Sequence, residues 1–212
     1  MVDLIISVDG SAGSGKEKIC KYIANKYSLF HLDSGIIYRR LVTLIIKRKI
    51  NYLNLKELIF FLNSINEISI RKHKILRSEE VSLLSSNVAK IKVVRRFVNY
   101  QQKKIVKKIL KIERGCVIDG RDIGSKVFQK AKIKLFIIVK PEIRAKRRHK
   151  QLIELGEKSI YTRILKDMNL RDKTDINRKE SPLVIPKRAL LIDNSGSFKK
   201  TINQINKALI NI

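Results

Sequence analysis

The sequence predicts an α/β fold, with a parallel sheet covered by helices on both faces. Three observations predict it. Short runs rich in β-branched residues, "LIISV" (4–8), "GCVIDGRD" (115–122) and "KIKLFIIVK" (132–140), alternate with stretches whose apolar positions recur at helical spacing. The first run ends directly in a glycine cluster from which a helix starts. No internal repeat or low-complexity linker interrupts the alternation. Strands that alternate with helices pair in parallel and need both faces covered.

Each element follows from its residues in turn. "LIISV" is apolar throughout, as a strand buried on both faces requires. From Lys16 to about Lys26, Ile19, Cys20, Ile23 and Tyr27 mark one helical face. "SLFHLDSG" (28–35) predicts a short strand ending in turn residues, and "GIIYRRLVTLIIKRK" a helix after it. A helix is expected over 54–65, a short extended segment over 67–76, and one helix from Ser78 to Lys111, where breakers are nearly absent. Pro141 stands at the favoured first position of a helix running through "EIRAKRRHKQLIEL". A further helix covers roughly 159–170, followed by a polar, highly charged stretch at 171–181. "RALLIDNSG" predicts the last strand and 197–211 the closing helix.

The bulk composition excludes several classes. The 212 residues can bury one sizeable core, and 44% hydrophobic content is that of a folded chain. Apolar runs such as "LVTLIIK" and "IKLFIIVK" are too short to span a bilayer, so no membrane association is expected. The start, "MVDLIISVDG", lacks the basic and apolar regions of an export signal, and a cytoplasmic location is expected. Two cysteines and three histidines show no metal-type spacing. The net charge of +28 could attract a polyanion, but the lysines are spread along the whole chain with no aromatic interleaving. The charge therefore reads as composition, with no specific nucleic-acid partner.

"GSAGSGK" (10–16) has the spacing G-x-x-x-x-G-K between a strand and a helix, which is that of a phosphate-binding loop. The glycines let consecutive backbone N–H groups turn inward onto phosphate oxygens, and Lys16 can reach the outer phosphates. Gly10, Ser11, Ala12, Gly13, Ser14, Gly15 and Lys16, with Glu17 and Lys18 after them, are the candidate binding residues for ATP. A Ser or Thr normally follows the lysine and contacts Mg2+. Here Glu17 and Lys18 stand in that corner, a carboxylate and a compensating ammonium.

Three later segments, "HLDSGIIYRR" (31–40), "IDGRDIGSKVF" (118–128) and "RDKTDINRKESPL" (171–183), resemble the bacterial cytidylate kinases in order and distance. The resemblance runs from Leu4 to the final helix. It implies a P-loop NTPase-type three-layer α/β fold with a short insert that binds the nucleoside monophosphate, and a lid. It also implies transfer of the ATP γ-phosphoryl group to CMP or dCMP, with Mg2+. The expected core is 1–54, 91–145 and 182–212, the insert about 55–90 and the lid about 146–181.

Residue by residue, the resemblance assigns Ser34, Tyr38 and Arg39 to the acceptor, with Arg39 gripping its phosphate. Asp33 with Ser34 would also make a helix N-cap. Asp119 resembles the carboxylate that holds the metal through water. Arg121 and Asp122 match contacts to the CMP phosphate and cytosine; a carboxylate accepts from the cytosine amino group, which uracil lacks. Ser86 and Arg95 match base and phosphate contacts. Arg171, Asp175 and Arg178 match the lid run, while Arg144, Arg147 and Arg148 match its start. Lys16, Arg121, Arg171 and Arg178 are the expected catalytic residues.

The chain departs from the family pattern in three places. "GKEK" replaces "GKGT", Thr174 replaces the lid's middle arginine, and the stretch between Leu62 and Ser78 is short. A monomer binding only small nucleotides is expected. The alternatives are a kinase for another monophosphate such as UMP or AMP, and a catalytically weakened paralogue that binds nucleic acid or another polyanion.

Overall fold

A computed structural model of the chain describes residues 4–71, 73–154 and 156–210. In chain order the first half runs β1 (Leu4–Gly10), α1 (Lys16–Tyr27), β2 (Phe30–Asp33), α2 (Gly35–Lys47), α3 (Leu55–Asn63), α4 (Glu79–Val88) and α5 (Lys92–Ile109). The second half runs β3 (Gly115–Gly120), β4 (Ile133–Ile138), α6 (Pro141–Glu154), α7 (Tyr161–Asn177), β5 (Leu190–Asp193) and α8 (Phe198–Ala208). The strands lie in the order β2-β3-β1-β4-β5. The pairings of β1 with β3 and β4, and of β4 with β5, are parallel, as the alternation predicts.

The chain divides into two compact units: residues up to Leu32 with those from Arg114 onward, and Asp33–Glu113. In the first, alternate β1 residues Leu4, Ile6 and Val8 pack with Ile19 and Ile23 of α1, Ile205 of α8 and Leu209 just after it. Tyr22 donates its hydroxyl to Asn206 across these helices, 2.9 Å away. The register sets Val8 beside Asp119 and Asp9 beside Gly120, so the loop after β1 and the turn after β3 leave the same C-terminal edge. Ligands collect at that edge in open α/β sheets.

In the second unit Ile37, Leu41, Leu58, Val88, Val94 and Val98 are fully buried. Asn54 caps α3 by accepting from the amides of Lys56 and Glu57, and Ser78 caps α4 by accepting from Val81. This unit contains the expected insert, 55–90, together with 33–54 and 91–113. It is wider because α2 packs on α4 and α5 packs on α2 and α3.

Four elements differ from the sequence expectation. The segment over 67–76 is no strand among its described residues. The buried Gln101 side chain accepts from the amide of Ile68 and donates to the carbonyl of Asn66, taking the groups a ladder would use. The helix expected over 78–111 is two. Val81, Ser85 and Val88 are buried on α4, but the next place on that stripe is the exposed Lys92, whereas α5 buries Val94, Val98 and Gln101. A straight helix cannot present both stripes to one core.

The strand expected to Asp122 stops at Gly120, and 123–127 form a wide helical turn. Finally, α7 continues through the polar stretch to Asn177 with no buried residue. Ion pairs of Asp172 and Asp175 with arginines support it in place of an apolar face.

Candidate active site

The loop between β1 and α1 is braced from two sides. At Gly10 a Cβ would lie 2.6 Å from the Ile137 carbonyl oxygen, and at Gly15, φ +85°, one would lie 2.5 Å from Asn194 Nδ2. Only glycine fits either place. Asn194, just past β5, donates to the Ser14 carbonyl at 2.8 Å and accepts from Thr201 of α8 at 2.8 Å. Opposite, the fully buried Arg144 of α6 donates to the carbonyls of Ala12 (2.9 Å) and Val139 (3.1 Å) and pairs with Asp172. The resemblance matches Arg144 to the start of the lid; its guanidinium holds a carbonyl of the loop. Arg147 donates to the carbonyls of Ser195 and Gly196, and Arg148 to Gln151.

Lys16 is folded into its own loop. Its ammonium donates to the carbonyls of Gly10 (2.8 Å) and Ser11 (2.7 Å) and to the Ser14 hydroxyl (3.2 Å). Burial, and then the nearby charge of Arg121, bring its pKa down to about 7. A phosphate reaching the loop would offer this lysine a far better partner. The side chains of the two odd residues lie elsewhere: Glu17 pairs with Lys21 at 2.8 Å on an exposed face, and the Lys18 ammonium sits 4.0 Å from the Phe198 ring centroid. What positions 17 and 18 can offer a phosphate is their backbone.

The strand ends supply the acids. Asp9 is buried and accepts from the amides of Ile123 (2.8 Å) and Gly124 (2.7 Å), which fixes the turn after β3. Burial raises its pKa to about 6 against those two hydrogen bonds. Asp119 is 2.8 Å from His31 Nε2 of β2. Asp122 is buried at the start of the turn, near enough to Asp9 to push up its pKa.

Asp175 of α7 gathers two arginines. Arg121 donates to one of its oxygens at 3.2 Å and Arg178 to the other at 3.0 Å; Arg178 also donates to the Ser181 carbonyl at 2.6 Å. Arg171 is exposed on α7, and Thr174 donates its hydroxyl to the Leu170 carbonyl.

The second unit holds the other predicted residues. Ser34 precedes α2 but makes no capping bond; Asp33 caps instead, accepting from the Gly35 amide at 2.9 Å and pairing with Arg39. The carboxylate reaches both groups, which the shorter serine side chain does not. The Arg95 guanidinium is buried and lies 5.8 Å from the Tyr38 ring centroid. Ser86 donates back to the Ser82 carbonyl within α4.

Sequence reasoning missed Asp9, His31 and Asn194, and named Arg144 without its contact to the loop. Asp9 carried a signal, since an acid inside an apolar strand must find partners. Of the strand-end acids, Asp9 is taken by the amides of Ile123 and Gly124, which leaves the Asp119 carboxylate as the one that could face Mg2+, while Glu17 is turned to Lys21. Mg2+ commonly takes one or two carboxylates with waters and substrate phosphates, so this donor set fits it.

A glycine loop closed on a lysine at the C-terminal edge of a parallel sheet, with arginines on the following turn and helix, defines a phosphate-loop phosphotransferase. Comparison with known proteins narrows the class. The sequence profile of cytidylate kinase matches residues 6–212. The cytidylate kinase of Clostridioides difficile (strain 630) is 37% identical over 219 residues, 99% of this chain and 98% of that one. That of Fusobacterium nucleatum subsp. nucleatum is 34% identical over 221 residues, with 99% and 98% covered. The chain belongs to the cytidylate kinase family. A crystal structure of TT1252 from Thermus thermophilus shares the fold, with TM-score 0.53 and 15% identity over 99% of this chain and 98% of that one.

Proposed function

We propose that this protein transfers the γ-phosphoryl group of ATP to CMP or dCMP, giving ADP and CDP or dCDP. The new bond joins a CMP phosphate oxygen to the γ-phosphorus, and the bond from that phosphorus to ADP breaks. The observation that carries this reading is the meeting of charged groups at one sheet edge: Lys16 after the loop that leaves β1, Asp119 near the end of β3 beside Val8, and Arg121 just past β3, both near enough to act on the lysine. One residue set therefore combines a donor cradle, a phosphate-binding cation and a metal-holding acid.

In this reading the backbone amides of 10–16 and Lys16 hold the donor phosphates. In the first unit Arg121 is assigned to the acceptor phosphate and Asp122 to its cytosine; in the second, Arg39 and Arg95 are assigned to phosphate and Ser34, Tyr38 and Ser86 to the nucleoside. Arg171 and Arg178 balance the charge spread over the transition state, with Asp175 between Arg178 and Arg121. Asp119 would hold Mg2+ through water, and the ion would supply further neutralisation of phosphate charge. Residues 55–90 would close on CMP and 146–181 over ATP, excluding water that would otherwise take the phosphoryl group.

The reading includes a cytoplasmic monomer. Cys20 and Cys116 are buried and not joined in a disulfide, consistent with a reducing compartment. Among the described residues no helix is long and apolar enough to cross a membrane. The test is ADP release with ATP and Mg2+ against CMP, dCMP, UMP and AMP at matched concentrations. Cytidine nucleotides should give the fastest release. A rate no higher than with ATP alone would sink the proposal.

A further inference from the structure

Cys20 of α1, His31 of β2 and Asp119 of β3 bring a sulfur, an imidazole nitrogen and a carboxylate oxygen within 4.8 Å of one another. The spacing in sequence conceals this, because the three donors come from three elements of one unit. Cys20 is fully buried, and the side chains of His31 and Asp119 are only 9% and 10% exposed. Phosphoryl transfer with Mg2+ asks for the carboxylate but for neither the sulfur nor the imidazole, since that hard ion selects oxygen. One thiolate, one imidazole and one carboxylate, with a fourth position left over, are the ligands of a Zn2+-type ion.

His31 Nε2 and Asp119 Oδ2 already converge, 2.8 Å apart in a hydrogen bond. Atoms converged on a proton are converged for a cation that replaces it. Around one zinc ion, ligand atoms sit within about 4 Å of each other. Binding therefore needs the widest separation to close by no more than about an ångström. Cys20 must lose its thiol proton to solvent, and His31 must present Nε2 with its remaining proton on Nδ1. Cys20 also stands one helical turn after Lys16, so an occupied site lies against the phosphate loop.

We propose that Cys20, His31 and Asp119 form a site for a thiophilic divalent cation of the Zn2+ type, and that filling it stops the reaction by removing the Asp119 carboxylate from Mg2+. Binding stands on the cluster alone; only the inhibition rests on the kinase function proposed above, so the two are tested separately.

The binding test uses Co2+ as a spectroscopic probe on the full chain, reduced and free of nucleotide. One equivalent should give a sulfur-to-cobalt charge-transfer band together with the visible bands of a tetrahedral ion, both bleached by one equivalent of Zn2+. Cys20→Ser should lose the charge-transfer band, and His31→Asn should bind at least ~10-fold more weakly. Cys116→Ser, at the other buried cysteine, should keep the band. No such band in the wild-type protein, or a band that survives Cys20→Ser, overturns the site. In the kinase assay Zn2+ should inhibit the wild type and spare Cys20→Ser. Equal inhibition of both overturns the inhibitory role even where the spectrum stands.

Discussion

Arg121 donates to one carboxylate oxygen of Asp175, 3.2 Å away, while Arg178 takes the other oxygen at 3.0 Å. The acid thus joins the turn after β3 to the C-terminal end of α7, and it offsets the repulsion of two guanidinium groups held close together. Both arginines are assigned to phosphate in the proposed reaction, so their aim depends on this carboxylate. Asp175→Asn keeps the size of the side chain and removes the charge. It should leave the melting temperature within a few degrees of wild type and lower kcat about 10²-fold, as misplaced catalytic groups do. Steady-state kinetics with CMP, read beside a thermal melt, checks this. An unchanged kcat would show that Asp175 orients nothing.

The Lys16 ammonium, buried and bonded only to neutral oxygens, is brought down to about 7 from an ordinary value of 10.5. A cation made unfavourable by folding destabilises fully below the folded value, and the cost is relieved as pH rises toward 10.5. Polyphosphate restores the charge. Nucleotide binding should then take up close to one proton at pH 8, where free Lys16 is mostly neutral, and almost none at pH 6. Calorimetry in buffers of different ionisation heat measures this. The uptake should vanish in Lys16→Met; equal uptake at both pH values would refute it.

What the sequence revealed and what it concealed follow from how local each signal is. The glycine loop, the parallel strands and the helix beginning at Pro141 announce themselves in a few consecutive residues. The break at 89–91 did not, because it comes from a change in which face is buried and no glycine or proline marks it. The end of α7 hid for a related reason. Its residues Asp172 and Asp175 are held by Arg144 and by Arg121 with Arg178, so a polar run is helical through partners far along the chain. In the site, the loop itself was legible and its supports were not. Asn194 and Arg144 grip carbonyl groups of residues 14 and 12, and nothing in the sequence shows which carbonyl a distant side chain will find.

Glu17 and Lys18 change the corner of the loop without building a new one. Glu17 is held by Lys21 on an exposed face, a pair worth about 0.5 kcal/mol or less, and Lys18 lies over Phe198. Glu17→Gly with Lys18→Thr places a small residue and a hydroxyl where neither is now present. Glycine in the first turn should cost about 1 kcal/mol of stability. The rate with CMP should stay level or rise, and the Mg2+ concentration for half-maximal rate should fall. A collapse in rate would mean that Glu17 or Lys18 takes part in the reaction.

Arg144 places the strongest demand on the fold, because a fully buried guanidinium is satisfied by the carbonyls of Ala12 and Val139 and by Asp172. Taking one partner out of a buried pair leaves the other uncompensated, at a cost of about 3–5 kcal/mol. Arg144→Met should lower stability by that order and loosen the loop at Ala12, raising KM for ATP more than KM for CMP. Adding Asp172→Asn removes the orphaned charge and should recover part of the stability. It should not recover KM for ATP, since the Ala12 carbonyl still lacks its donor. Urea unfolding of the two single variants and the double variant, read beside KM for each substrate, separates the effects. Recovery of both together would show that the ion pair, and not the contact with the loop, is what Arg144 provides.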